Sequence, residues 1–427
     1  MSKKFNSTEF NQLLEYLYAL ERLGIKVGLE HTQELLKTCG NPQDNYLSIH
    51  IAGTNGKGST AAMIASILIE AGYSIGLYTS PHLIRFNERI RVNGIPIPDE
   101  KIVDFVSRYK SAIEKIQSTF FEATTAMAYE YFSNEKVDIA VIETGLGGRL
   151  DSTNVLNPQV TVISSITIDH TEILGKDLKA IAFEKGGIIK DGVPLILSAQ
   201  NEEAKKVLLE IADRKKSKVT YCKQDDIKII LISEMGTTFN WRRTDYTTNL
   251  IGEHQARNAV LAIEASKIFS HRISSDMIVN GLKKVMWPAR LQKMHKSLPI
   301  FYDVAHNPHG IQVVLETLFT IYQTKPIGLI ALKADKEIER IVPKLKNRFK
   351  ELIVTSKPEA GLVGAKDLYD SLMKFGINAM LESDIIKAIK LINKTVSNTN
   401  PGLIFGSHYI GETIYKEYDY FFDNGII

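Results

Sequence analysis

Cysteine is nearly missing from this chain: it occurs twice in 427 residues, as Cys39 and Cys222. So small a supply excludes a disulfide framework and a spaced cysteine pair for metal, and it points to a reducing compartment. An excess of either charge is missing too. Lys plus Arg is 52 against 49 for Asp plus Glu, a net charge of +3. That balance is too even to signal nucleic acid, so no nucleic-acid partner is expected. No uninterrupted apolar run approaches bilayer-crossing length. The amino end, Met1-Ser2-Lys3-Lys4-Phe5-Asn6, lacks the apolar core of a signal peptide. The expectation is a cytoplasmic, globular, monomeric protein with no membrane partner. At this length one core does not suffice, so two domains are expected.

What is present is a phosphate cradle. Residues 46–52 alternate as a strand, with Leu47, Ile49 and Ile51 on one face. The chain then breaks into Gly53-Thr54-Asn55-Gly56-Lys57-Gly58-Ser59 and restarts as a helix from Ser59 to Ala71, closed by Gly72. Glycines let backbone N–H groups turn inward, the helix start adds its positive dipole end, and Lys57 adds a mobile charge. The commonest phosphate loop has a glycine five positions before its Gly-Lys pair, where this chain has Ile51. An ordinary strand-to-helix turn with a solvated lysine is the bland alternative. The coincidence of strand, glycines, lysine and hydroxyls favours phosphate.

Further strands deliver polar residues at their carboxyl ends, where open α/β sheets gather function. Residues 74–80 end in Thr79 and Ser80, and a serine there could equally cap a turn. Residues 137–143 end in Glu143, which is either a metal-binding carboxylate or a solvated surface acid. The glycine-rich stretch 144–151 that follows is too irregular for routine structure. Residues 160–166 lead to Asp169-His170, and the helix 177–185 ends in Lys185, which read alone is a solvated helix-end cation. Asn93-Gly94 signals a hairpin. Thr119-Phe120-Phe121-Glu122 opens a helix, and its Phe pair either packs a core or walls a pocket for a flat ring. Residues 218–250 look like short antiparallel strands added at a sheet edge. From residue 300 strand and helix alternate afresh, a second doubly wound domain, with Lys293–Pro299 as the linker. The expected domains are 1–295 and 296–427.

Taken together, Gly53–Ser59, Tyr78-Thr79-Ser80-Pro81-His82, Glu143 with Gly145-Leu146-Gly147-Gly148, Asp169-His170, and Asp303-Val304-Ala305-His306-Asn307-Pro308-His309 resemble the folylpolyglutamate synthase and dihydrofolate synthase family of the Mur ligase superfamily. The resemblance implies an α/β fold: a phosphate-loop ATPase domain of Mur-ligase type followed by a smaller Rossmann-like α/β ligase domain. It also implies a reaction. ATP phosphorylates a folate carboxylate, and the amine of L-glutamate attacks the resulting acyl phosphate to leave an amide, ADP and phosphate. By this resemblance Gly53, Thr54, Asn55, Gly56, Lys57, Gly58 and Ser59 bind ATP, with Asn258, Arg290 and Asp303 touching adenine, phosphate and ribose. Ser80 and Glu143 would ligate one Mg²⁺ and His170 a second. Lys185 matches a lysine that the family carries as a carbamate, a further oxygen ligand, and His306 lies near the reacting groups. Arg290 and Asp303 lie at the expected domain junction, so the second domain should close over ATP and exclude water. Lys57, Lys185 and His306 are the expected catalytic residues.

Thr119, Phe120, Phe121 and Glu122, with Arg149 and Asp151, look like the pterin-side pocket of bifunctional members, so dihydropteroate is an expected substrate beside tetrahydrofolate. Lys26 departs from the pattern, because bifunctional members often have Asp there. Family members that make polyglutamates alone are the nearest alternative. A cell-wall ligase of the same superfamily would need a UDP-sugar domain before the phosphate loop, and too few residues precede it. A GTPase-type switch should carry Asn-Lys-x-Asp, whereas Asn393-Lys394-Thr395-Val396 lacks the acid. A non-catalytic nucleotide-binding module would not need Ser80, Glu143 and His170 at strand ends.

Overall fold

The computed structural model describes residues 7–24, 28–334 and 338–420; Lys26 lies outside them. Two helices lead in, α1 (Ser7–Ala19) and α2 (Glu30–Thr38). Then come β1 (Leu47–Ala52), α3 (Lys57–Glu70), β2 (Ile75–Tyr78), the hairpin β3 (Ile90–Val92) and β4 (Ile95–Pro96), α4 (Asp99–Ile116) and α5 (Phe120–Asn134). The alternation continues through β5 (Ile139–Glu143), β6 (Val160–Ile163), α6 (Thr171–Leu174), α7 (Leu178–Gly186), β7 (Leu195–Ser198), α8 (Glu202–Arg214) and β8 (Val219–Cys222). These strands make one eight-stranded sheet in the order β4-β3-β2-β5-β1-β6-β7-β8, parallel but for β3, which runs antiparallel to both β2 and β4. Asn93 and Gly94 take φ of 51° and 82° at the hairpin turn, the left-handed pair such a turn requires.

β1 lies at the centre of this sheet, between β5 and β6. The alternation of Leu47, Ile49 and Ile51 suggests one buried face. In the structure both faces of β1 are covered, so Ser48 and His50 are buried as well while Leu47, at the start, is exposed. A parallel strand flanked by helices on both faces has no solvent side. Helix α3 is buried almost throughout for the same reason and starts two residues earlier than the sequence suggests.

The remaining elements are β9 (Lys228–Ser233), β10 (Gly236–Trp241), β11 (Thr244–Thr248), α9 (Glu253–Phe269), α10 (Ser275–Lys284), β12 (Gln292–Lys293) and β13 (Ile300–Asp303). After them come α11 (Pro308–Tyr322), β14 (Ile327–Ile330), α12 (Ile338–Leu345), β15 (Glu351–Val354), α13 (Ala365–Lys374), β16 (Met380–Leu381), α14 (Ile385–Thr395), β17 (Gly402–Phe405) and α15 (Gly411–Glu417). The second sheet runs β12-β13-β17-β14-β15-β16, parallel except at β12. The alternation expected from residue 300 onward is therefore present.

Two compact units result, the first holding the chain up to Asp226 together with Arg257–Lys284, the second holding Ile227–Ala256 and the chain from Val285. Two expectations need correction. The strands of 218–250 beyond β8 are not added to a sheet edge. Among the described residues β9, β10 and β11 pair only with one another, as a separate antiparallel sheet whose Ile232 packs in the core of the second unit. Nor is Lys293–Pro299 a linker. Gln292 and Lys293 pair with Tyr302 and Phe301, and Met294 N–H donates to Ile300 O at 2.8 Å, closing a hairpin. Its charged residues look linker-like because they face outward on an edge strand.

Candidate active site in the first unit

The turn after β1 is held from β6. The amides of Thr54 and Asn55 donate to Ser165 O at 2.8 and 3.2 Å, and the Thr54 hydroxyl donates to Thr167 O at 3.1 Å. Asn55 Nδ2 donates to Thr167 Oγ1 at 3.2 Å. Not all loop amides point inward, then: those of Thr54 and Asn55 fix the loop. The amides left facing outward belong to the first turn of α3, at Lys57, Gly58 and Ser59, because Thr60 N–H is the first to bond back, to Gly56 O. Among the described residues no side chain caps this end. Such uncapped amides at the positive end of a 14-residue helix suit a phosphate.

Two glycines are demanded by space as well as by φ. At Gly53 (φ +149°) a Cβ would stand 1.9 Å from Ser164 Oγ, and at Gly56 (φ +91°) it would stand 2.3 Å from Asn258 Oδ1. The second contact brings the expected nucleotide residue Asn258, on α9, against the loop. Sequence reasoning passed over Ser165 and Thr167; a polar run ending the strand next to β1 was the available signal.

Three charged side chains converge here. Lys57 Nζ lies 3.4 Å from Thr54 O and 3.8 Å from Glu143 Oε1. Glu143, buried at the end of β5, accepts from the Ser80 amide at 3.3 Å, which sets the Ser80 hydroxyl and the carboxylate at the ends of adjacent strands. Lys185 is the largest departure from the bland reading. It is 4% exposed, and its Nζ donates to Gly53 O at 2.8 Å. Burial, and secondarily the nearby Lys57 charge, push its ammonium down to about 7, with Asp169 and Asp151 pulling the other way. His170 stands at φ 49° before α6, its ring half exposed and Nε2 3.9 Å from Asp169 Oδ1.

A sign follows for stability. The Lys185 pKa is depressed in the folded state, so between about pH 7 and 10.5 the unfolded chain binds more protons. Stability should rise with pH across that window, by up to about 1.4 kcal/mol per pH unit. Lys185→Met should abolish this slope; urea unfolding of both proteins from pH 7 to 10 measures it, and equal slopes would contradict it.

The expected substrate residues divide. Thr119 and Glu122 close a reciprocal cap at the start of α5: Thr119 N–H donates to Glu122 Oε2 at 2.7 Å and Glu122 N–H to Thr119 Oγ1 at 3.3 Å. Phe120 turns into a core of aromatic rings, stacked on Tyr18 at 5.6 Å and edge-on to Phe86. Phe121 turns instead onto the glycine loop, where a Cβ on Gly145 would lie 2.4 Å from its ring. Phe120 thus takes the core alternative, while Phe121 is partly buried against the same core with its ring over Gly145. Arg149 pairs with Glu184 at 2.8 Å. Asp151 is buried, and its carboxylate accepts from the amides of Leu146 and Thr153 and from the Thr153 hydroxyl. It braces the loop from within.

In the second unit Asp303 ends β13 and accepts from the amides of Leu291 and Ala305, both at 2.7 Å. Burial raises its carboxyl to about 6 against the opposing pull of Arg290. His306 Nδ1 lies 2.8 Å from Val304 O. These residues meet at the carboxyl end of one strand.

The family model of the Mur ligase middle domain matches residues 51–266, and that of the Mur ligase glutamate ligase domain matches 289–408. The dihydrofolate synthase/folylpolyglutamate synthase of Bacillus subtilis (strain 168) is 37% identical over 96% of this chain and 99% of its own. The chain belongs to the folylpolyglutamate synthase and dihydrofolate synthase family of Mur ligases. It is an ATP-dependent ligase with the two-domain α/β Mur-ligase fold that the resemblance implied. Among solved structures, Mycobacterium tuberculosis folylpolyglutamate synthase complexed with ADP and AMPPCP superposes with a TM-score of 0.87 at 29% identity, covering 96% of this chain and 99% of that one. Escherichia coli FolC in complex with DHPP and ADP gives 0.85 at 27% identity, covering 95% and 97%. Among the described residues no helix is long and apolar enough to cross a membrane.

Proposed function

We propose that this chain joins L-glutamate to folates through an acyl phosphate, and that it accepts dihydropteroate as well as tetrahydrofolate. The observation that carries the reading is the gathering of Lys57, Lys185 and Glu143 around an uncapped helix start. The amides of Lys57, Gly58 and Ser59 hold the β- and γ-phosphates of ATP. Lys57 follows the charge that builds on the transferring phosphoryl oxygens as the substrate carboxylate displaces ADP. The glutamate nitrogen then bonds to the acyl carbon while the bond from that carbon to the phosphate oxygen breaks, and a proton leaves the nitrogen.

Ser80 and Glu143 supply a hydroxyl and a carboxylate at neighbouring strand ends, oxygen donors suited to a hard cation. Among the described residues no three His, Cys, Asp or Glu side chains converge. That is in keeping with Mg²⁺, which takes one or two protein oxygens and completes its shell with phosphate and water. Bound there, it would neutralise phosphate charge; His170 is assigned to a second such ion. Lys185 near pH 7 is partly the neutral amine, the form that adds CO₂, which supports the implied carbamate. Asn258, Arg290 and Asp303 are assigned to the nucleotide, and His306 to the reacting groups. Thr119, Phe121 and Arg149 are assigned to the pterin side. Cys39 and Cys222 form no disulfide, which supports a cytoplasmic setting.

The test is direct. Dihydropteroate and tetrahydrofolate are supplied separately with ATP and L-glutamate, and products are weighed by mass spectrometry. Each should gain glutamyl residues. A product from tetrahydrofolate alone would restrict the enzyme to polyglutamylation, and phosphate release indifferent to both substrates would refute the ligase reading.

A further inference from the structure

Beneath the glycine-rich loop lies a buried polar chain to which the proposed chemistry assigns nothing. His50 sits on β1 with no exposure, and its Nε2 is 2.8 Å from Thr153 Oγ1. Thr153 Oγ1 in turn donates to Asp151 Oδ1. Asp151 Oδ2 accepts from Leu146 N–H at 2.7 Å, so the chain ends on the backbone of the loop that follows Glu143. Thr153 is fixed at its backbone too, since its amide reaches Asp151 at 3.0 Å and its carbonyl accepts from Tyr129 OH at 3.1 Å.

The proton directions can be settled. A hydroxyl has one proton, and that of Thr153 goes to Asp151: burial pushes this carboxyl up, but donors from Leu146 N–H and Thr153 N–H occupy both of its oxygens and hold it as the acceptor. The Thr153 oxygen must then accept from His50, so His50 carries its proton on Nε2. The other nitrogen agrees. His50 Nδ1 is buried and has no hydrogen-bond partner among the described residues. A buried N–H with no acceptor is rare, whereas a bare lone pair is tolerated more readily. Burial, with Lys190 adding to it, lowers the imidazole to about 3, so the ring is neutral at any working pH.

We propose that His50 and Thr153 are positioning residues: a one-way relay, His50 Nε2–H to Thr153 O–H to Asp151, that holds the Gly145–Leu146 backbone in place and with it Phe121, the ring lying on Gly145. The relay acts on the substrate side, because Phe121 packs against the loop it holds while the phosphate-binding turn is held separately, from Ser165 and Thr167. This extends the ligase reading and rests on it for the kinetic part only.

The test has two arms. Nitrogen-15 NMR of the unmodified protein labelled at histidine should show His50 with a pyrrole-type Nε2 and a pyridine-type Nδ1, unchanged from pH 5 to 9. A protonated Nδ1, or titration within that range, overturns the relay whatever the enzyme's substrate. In the kinetic arm Thr153→Val should raise the KM for the folate substrate about tenfold while the KM for ATP stays within about twofold. Thr153→Ser, which keeps the hydroxyl, should restore it. His50→Gln, which can still donate from Nε2, should show a lower folate KM than His50→Leu. Equal values for Thr153→Ser and Thr153→Val would reduce the site to packing and overturn the proposal. If the leucine variant fails to fold, the serine–valine comparison and the spectrum still decide.

Discussion

Lys57→Ala is expected to lower glutamate-dependent turnover about 10²- to 10³-fold, a loss of roughly 3–4 kcal/mol of transition-state stabilisation. The size follows from where the ammonium stands. It is mostly buried, beside an uncapped helix start, and 3.8 Å from a carboxylate at a strand end. A charge in so dry a position acts on a developing phosphoryl charge far more strongly than it would in water. Its methylene stem makes little of the core, so the melting temperature should change by only a few degrees. The variant also relieves Lys185 of a neighbouring positive charge, so the Lys185 pKa should rise. Initial rates with saturating substrates, alongside circular dichroism, measure both. Turnover within about tenfold of the parent would remove Lys57 from the chemistry.

Glu143→Ala should match that loss for a different reason. The carboxylate is the buried acid facing Lys57 and the Ser80 amide. Removing it leaves Lys57 beside a neutral wall and takes away an oxygen donor fit for Mg²⁺. We expect turnover to fall on the order of 10²-fold or more and the Mg²⁺ concentration giving half-maximal nucleotide binding to rise. That binding is read by fluorescence or calorimetry, so it does not depend on turnover. An unchanged Mg²⁺ dependence would show that the acid serves Lys57 alone.

Much of this was legible in the chain. The run from Gly53 to Ser59 announces its turn because only glycine fits at Gly53 and Gly56, and the structure shows what blocks any other residue there. The Thr119–Glu122 pair was readable because its hydrogen bonds are made within four residues, and Asn93-Gly94 because the turn itself demands left-handed backbone at both positions. The misreadings share one cause, which is that their partners lie far along the sequence. Lys185 looks like a solvated helix end until Gly53, 132 positions away, is found accepting from its amine. His50 alternates like a surface residue of β1 until Thr153, 103 positions on, covers it. The antiparallel strands β9–β11 have correct local periodicity, yet nothing local says which core their apolar side chains will join. Asp151 reads as an acid in a glycine loop, and only the folded backbone shows it bonded inward.

Helix α3, which carries the phosphate-binding turn, is sealed on one side by α10. Ser66 Oγ donates to Gly281 O at 2.7 Å, and a Cβ on Gly281 would stand 2.6 Å from Ile67 Cα. Asn258 presses on Gly56 from the same late portion of the chain. During vectorial synthesis a ribosome must therefore emit the whole of Ile227–Ala256, which belongs to the other unit, before the first unit can finish its own core. Until then the nascent α3 keeps the flank that α10 will cover open to water.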